Sequence, residues 1–83
     1  DKFSFLKGFS IKSAKIVVYI LKHLFYAPTS PTLIHHRLRS ICGVDVSYSS
    51  VYRVFKKLED LNIIEPYGWG LWQLSPSAVD TVT

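Results

Sequence analysis

At Asn62 the spacing of apolar residues changes, and this limits the possible folds more than any other feature of the chain. Before it, apolar side chains recur at three- and four-residue steps, the period that lays a stripe along one side of a helix. After it come two short strand-like runs, Ile63–Ile64 and Leu71–Trp72–Gln73–Leu74, with Glu65–Pro66–Tyr67–Gly68–Trp69–Gly70 between them. Two glycines separated by one residue supply the positive φ values of a tight hairpin. Pro66 has no N–H to give to a ladder, so its strand is an edge or is interrupted there.

The helical part divides at three stops. Ser13 is expected to cap a first helix running to about Ala27. Its stripe is Ala14, Ile16, Val17, Ile20, Leu21, Leu24 and Phe25, with Lys12, Lys15, Lys22 and His23 off it. Pro28 ends this helix, because the residue before a proline avoids the helical region. Ser30 then places a capping hydroxyl ahead of Pro31 at the first helical position. Ile34, Leu38 and Ile41 follow, and Gly43 closes a second helix over about residues 31–42. Ser47 caps a third helix through Leu61, with Val51, Val54, Phe55, Leu58 and Leu61 inward and Asn62 as its left-handed stop.

The expected fold class is therefore mainly α with a small β-hairpin (α+β). An arm over residues 1–12 leads into one folded unit over 13–75, and a tail follows over 76–83. A helix-turn-helix pair cannot bury both of its faces, so the first helix packs across it and the hairpin covers the open edge. That is a winged helix-turn-helix, three helices plus a wing.

Length and composition agree with one small domain. Eighty-three residues are below the usual size at which chains divide, and a core this small is marginal. Five Phe, five Tyr and two Trp offset that, since aromatic side chains bury the most area per residue. Cys42 is the lone cysteine, so no internal disulfide forms, which fits a reducing, cytoplasmic setting. The expected place for Cys42 is a small buried apolar site. No run reaches the ~18–20 apolar residues of a bilayer span, and the start lacks a secretory leader pattern, so no membrane association is expected.

His35 and His36 point apart on a helix, and Cys42 lies too far along it to share an ion with either, so no metal is expected. No glycine-rich phosphate loop or paired carboxylate is present, so neither a cofactor nor an enzyme activity is expected. The net charge of +4 and a pI of about 9.4 favour an anionic partner.

The stretch from Val46 to Glu65, VSYSSVYRVFKKLEDLNIIE, resembles the recognition helix and its exit in PadR-like and MarR-like winged-helix regulators. Small proteins of that kind are common in archaea and their viruses. Leu58, Leu61, Ile63 and Ile64 occupy the apolar positions of the family pattern, and Asn62 stands where the family usually has glycine. Leu71–Leu74 followed by Ser75 resembles the returning wing strand. The resemblance covers roughly residues 14–75 and implies a transcriptional regulator that binds double-stranded DNA, usually as a two-fold dimer.

On a helical projection of about 100° per residue, the face opposite the apolar stripe of the third helix carries Ser49, Tyr52, Arg53, Lys56 and Asp60. Tyr48 and Lys57 lie at its margins. A major groove about 12 Å wide admits such a helix, whose first turns reach base edges. Arg53 is the expected base reader, because its fork matches the two acceptors of guanine. Ser49 and Tyr52 would meet a phosphate or base edge, Lys56 and Lys57 phosphates, and the backbone at Ser47 to Ser49 another phosphate. Glu59 and Asp60 would repel phosphates at the far end.

Trp69, at the hairpin tip, either enters the minor groove, lies on the backbone, or folds onto Tyr67. One of Trp69 and Trp72 is expected in the core. Phe3, Phe5 and Phe9, or the first helix, are candidate homodimer contacts. The alternative function is a protein-interaction winged helix within a replication or transcription assembly, with the third helix buried against a partner.

Overall fold

The computed structural model describes residues 7–78. It contains α1 (Ile11–Leu24), α2 (Pro31–Ser40), α3 (Tyr48–Asp60), β1 (Ile64–Gly68) and β2 (Leu71–Leu74). The protein is mainly α, and its two strands form an antiparallel hairpin after the helices. Phe3, Phe5, Val79 and Val82 lie outside the described residues. No helix among the described residues is long and apolar enough to cross a membrane.

Each of these three helices starts on a serine hydroxyl. Ser10, Ser30 and Ser47 accept the N–H groups of Ser13, Leu33 and Ser50, each at 3.2 Å, satisfying one of the amides that a helix start leaves free. The cap of α1 is therefore Ser10 and not Ser13, so the helix begins inside the segment expected to be an arm. Gly8 and Ser10 fall within that segment, and neither is a strong helix former. Ser10 instead takes the extended backbone that a cap requires, with φ −66° and ψ 165°.

The helix exits are as sharp as the starts. Asn62 has φ 62°, and the N–H groups of Asn62 and Ile63 donate to the carbonyls of Glu59 and Leu58 at 2.9 and 3.0 Å. This is the Schellman closure, with asparagine in the role usually given to glycine. At the end of α2, Gly43 has φ 66° and lets Val44 donate to the Leu38 carbonyl at 2.8 Å.

These early exits overturn three expected core positions. Phe25, Ile41 and Leu61 are 51%, 69% and 44% exposed, because each lies just past the last residue of its helix, where the chain turns outward. Cys42 is exposed for the same reason, and not buried as expected.

The core is assembled from all elements. Val17 and Ile20 of α1, Ile34 of α2, and Val51, Phe55 and Leu58 of α3 are fully enclosed, joined by Ile64 of β1. Phe55 is the largest of them, and Trp72 of β2 tilts against its ring at 6.2 Å between centroids. Trp72 is thus the tryptophan that packs on the core.

The hairpin pairs Ile64 with Leu74, Glu65 with Gln73 and Pro66 with Trp72, and a bulge follows Pro66. The Gln73 amide donates to the Glu65 carboxylate across this pair at 2.7 Å. On its other side β2 meets the α1–α2 connection. Thr29 donates to the Trp72 carbonyl at 3.0 Å, and Trp72 donates back to the Thr29 carbonyl at 2.7 Å. Pro66 therefore lies on the outer strand, as its missing N–H requires.

Beyond β2, the Ser75 hydroxyl donates to the Asn62 carbonyl at 2.6 Å, and a helical turn begins at residues 76–78 with Ala78 buried. The expected tail thus begins as part of the packed unit.

Candidate nucleic-acid interface

α3 owes its position to two packed sides. Its apolar stripe rests on α1, α2 and β1, and its start is fixed by Ser47, whose hydroxyl also pairs with that of Ser50 at 2.9 Å. Val46 is buried just ahead of the cap, and its carbonyl accepts a hydrogen bond from His35 Nε2 at 2.9 Å. Because a carbonyl only accepts, this contact places a proton on Nε2 of His35. The α2–α3 connection is thereby pinned immediately before the helix whose outer face is exposed.

On that face Tyr48, Ser49, Tyr52, Arg53, Lys56 and Lys57 are all exposed. They divide into two flanks and a centre. Tyr48 and Tyr52 stack on the α2 side, with 6.1 Å between centroids and 21° between planes, and His35 meets Tyr48 edge-on at 6.0 Å. Ser49 and Lys56 occupy the centre. Arg53 and Lys57 lie on the flank toward the start of α1.

The three cations are in different states. Lys56 donates to Glu59 at 2.7 Å and lies 5.8 Å from the centre of the Trp72 ring. The hydrogen bond and charge of Glu59 hold its ammonium above the usual lysine range. Lys57 donates to the Gly8 carbonyl and sits 4.6 Å from the centre of the Phe9 ring. Arg53 has no hydrogen bond or ion pair with any described residue. The two lysines expected to meet phosphates are thus engaged within the chain, and the arginine has no partner among the described residues.

Trp69 stands apart from α3 at the hairpin tip. It has φ 54° between two positive-φ glycines and is 102% exposed, so it does not fold back onto Tyr67. Its ring offers its whole surface to solvent.

Three neighbours of this face were not assigned to it from the sequence, Ser13 having been read only as a helix cap. Ser10, which caps α1, Ser13 of α1 and Ser50 of α3 line a cleft together with Arg53 and Lys57. The repeated spacing Ser10-x-x-Ser13 and Ser47-x-x-Ser50 was the available signal. It was hidden because serine pairs at that step also occur in ordinary loops.

Comparisons of the chain with protein-family models, with curated proteins and with solved structures find no match. The resemblance to PadR-like and MarR-like regulators therefore rests on residues 46–65 and 71–75 alone.

Proposed function

We propose that this chain is a winged helix-turn-helix domain that binds double-stranded DNA by inserting α3 into the major groove, and that it acts as a transcriptional regulator. One observation carries the proposal. α3 is fully packed along Val51, Phe55 and Leu58, while its opposite face exposes hydroxyls, a tyrosine pair stacked beside His35, and a guanidinium with no partner among the described residues. An apolar back with a polar, cationic front is what a groove-filling helix requires. The hairpin supports the same reading. Thr29 ties β2 to the α1–α2 connection, so the wing is held at a fixed place beside α3 and presents Trp69 outward.

The test is titration of the intact chain into random and promoter-derived duplexes at several salt concentrations. About four phosphate contacts give a log–log salt slope near −3 to −4. Binding that is absent, or flat with salt, overturns the proposal.

A second reading draws on α1. Ile11 (81% exposed) and Val18 line an outward apolar groove with Ala14 and Lys15, a surface that suits a protein partner or a second copy in a homodimer. It leaves the α3 face open, so the two readings are compatible. Sedimentation with and without duplex separates them: a 9.5 kDa species that binds DNA one-to-one excludes the homodimer.

A further inference from the structure

Between the start of α1 and the flank of α3 lies a cleft of about 190 Å³. That is roughly six times the ~30 Å³ that a water occupies in the liquid, room enough for a tetrahedral oxyanion with some of its hydration. Ser10, Ser13 and Ser50 bring hydroxyls to it, Arg53 and Lys57 bring cations, and among the described residues no carboxylate lines it.

Two of these groups are open to a ligand: neither the Arg53 guanidinium nor the Ser13 hydroxyl has a hydrogen-bond partner among the described residues. Lys57 is anchored by Gly8 and Phe9, so its charge is held beside the cleft and does not sweep through solvent. A planar fork of N–H donors, a neighbouring hydroxyl and a second fixed cation form a receptor for a phosphate group, because hydrogen bonds between ionised partners are about twice as strong as neutral ones.

We infer that this cleft seats one backbone phosphate of the duplex entered by α3, with Arg53 as its principal ligand and Ser13 as a second donor. The inference rests on the DNA-binding proposal and changes one role within it. Arg53 becomes a contact that positions the helix on the backbone, and base reading falls to the Ser49 and Tyr52 part of α3.

The decisive variant is Ser13→Glu. A glutamate three residues after the Ser10 cap completes a capping box, so α1 is kept while a carboxylate enters the cleft. Circular dichroism and a melting curve verify that the fold survives. The expected result is weaker binding to every duplex alike, with the salt slope shallower by about 0.9, the loss of one phosphate contact. Arg53→Ala is expected to do the same and to leave the ranking of base-substituted duplexes unchanged.

Parental affinity and slope in Ser13→Glu overturn the inference while leaving DNA binding intact. So does an Arg53→Ala variant that loses discrimination at a single base pair with an unaltered slope. A parent protein that binds no duplex sinks both proposals. If its amides at Ser10, Ser13 and Ser50 nevertheless shift on titration with inorganic phosphate, the cleft takes free phosphate and the duplex assignment is wrong.

Discussion

Thr29 is 3% exposed, and its backbone is fully used in the bridge to Trp72, yet its side-chain hydroxyl has no partner among the described residues. Burying a hydroxyl unpaired carries a desolvation penalty of about 1–3 kcal/mol, which an isosteric methyl avoids. Thr29→Val is therefore expected to raise stability by about 1 kcal/mol, or about 4–8 °C in Tm for a domain of this size. An unchanged or lower melting point would show that the hydroxyl is satisfied.

His23 is expected to make the stability of the fold sensitive to acid. Partial burial, then the nearby charges of Arg37 and Lys22, hold its imidazole below the ordinary value of 6.5. The unfolded chain consequently binds that proton more tightly than the folded one, and stability falls as pH drops through about 6.5 and below. Melting from about pH 7 to pH 5 should show a decline that His23→Gln makes shallower. Equal declines in parent and variant would assign it to other groups.

Single residues also mark where sequence reasoning reached and where it stopped. Asn62, Gly43, Ser30 and Ser47 were legible because a cap or a left-handed exit is a local requirement that particular side chains meet. Ser10 was missed as a cap because it was assigned to the arm, and Ser13, three residues on, offers the same hydroxyl. The attachment of Lys57 to Gly8 was invisible, since it joins residues distant in the chain by packing alone.

Among the elements, α3 shows the clearest relation between pattern and use. Its inward stripe was read correctly from Val51 to Leu58, and only Leu61, beyond the helix end, was misplaced. Periodicity continues past a helix terminus in sequence but not in space, which is also why Ile41 and Phe25 came out exposed. The outward face was legible as a list of residues but not as an arrangement. The tyrosine stack toward α2 and the cationic flank toward α1 depend on what each side packs against.

At the far end of α3, Glu59 occupies the ammonium of Lys56. Surface pairs of this kind add little to stability, so Glu59→Gln should leave the fold unaffected while releasing a cation to the groove. The expected outcome is tighter binding to duplexes of any sequence, with a salt slope steeper by up to about 0.9. Unchanged affinity would place Lys56 outside the interface.

At the scale of the whole molecule, connections between residues distant in sequence close the fold around its core. The hairpin seals one side of the helices, Ser75 holds the exit of β2 to the exit of α3, and Ala78 adds to the core. Phe55→Ala removes the largest enclosed side chain at the meeting point of helices and hairpin. A loss of about 3–5 kcal/mol is expected, enough to unfold a domain of marginal size, as a denaturant titration would report.

The reciprocal pair of hydrogen bonds between Thr29 and Trp72 has a further consequence for motion. A hairpin attached only to the helix before it could peel away alone, leaving three helices behind. Here the returning strand is laced to the stretch that separates α1 from α2, so lifting it also strips the amide shelter of residues some forty positions earlier in the chain. The amides of Thr29 and Trp72 should then trade their hydrogens for deuterium at matched rates, in one shared opening event.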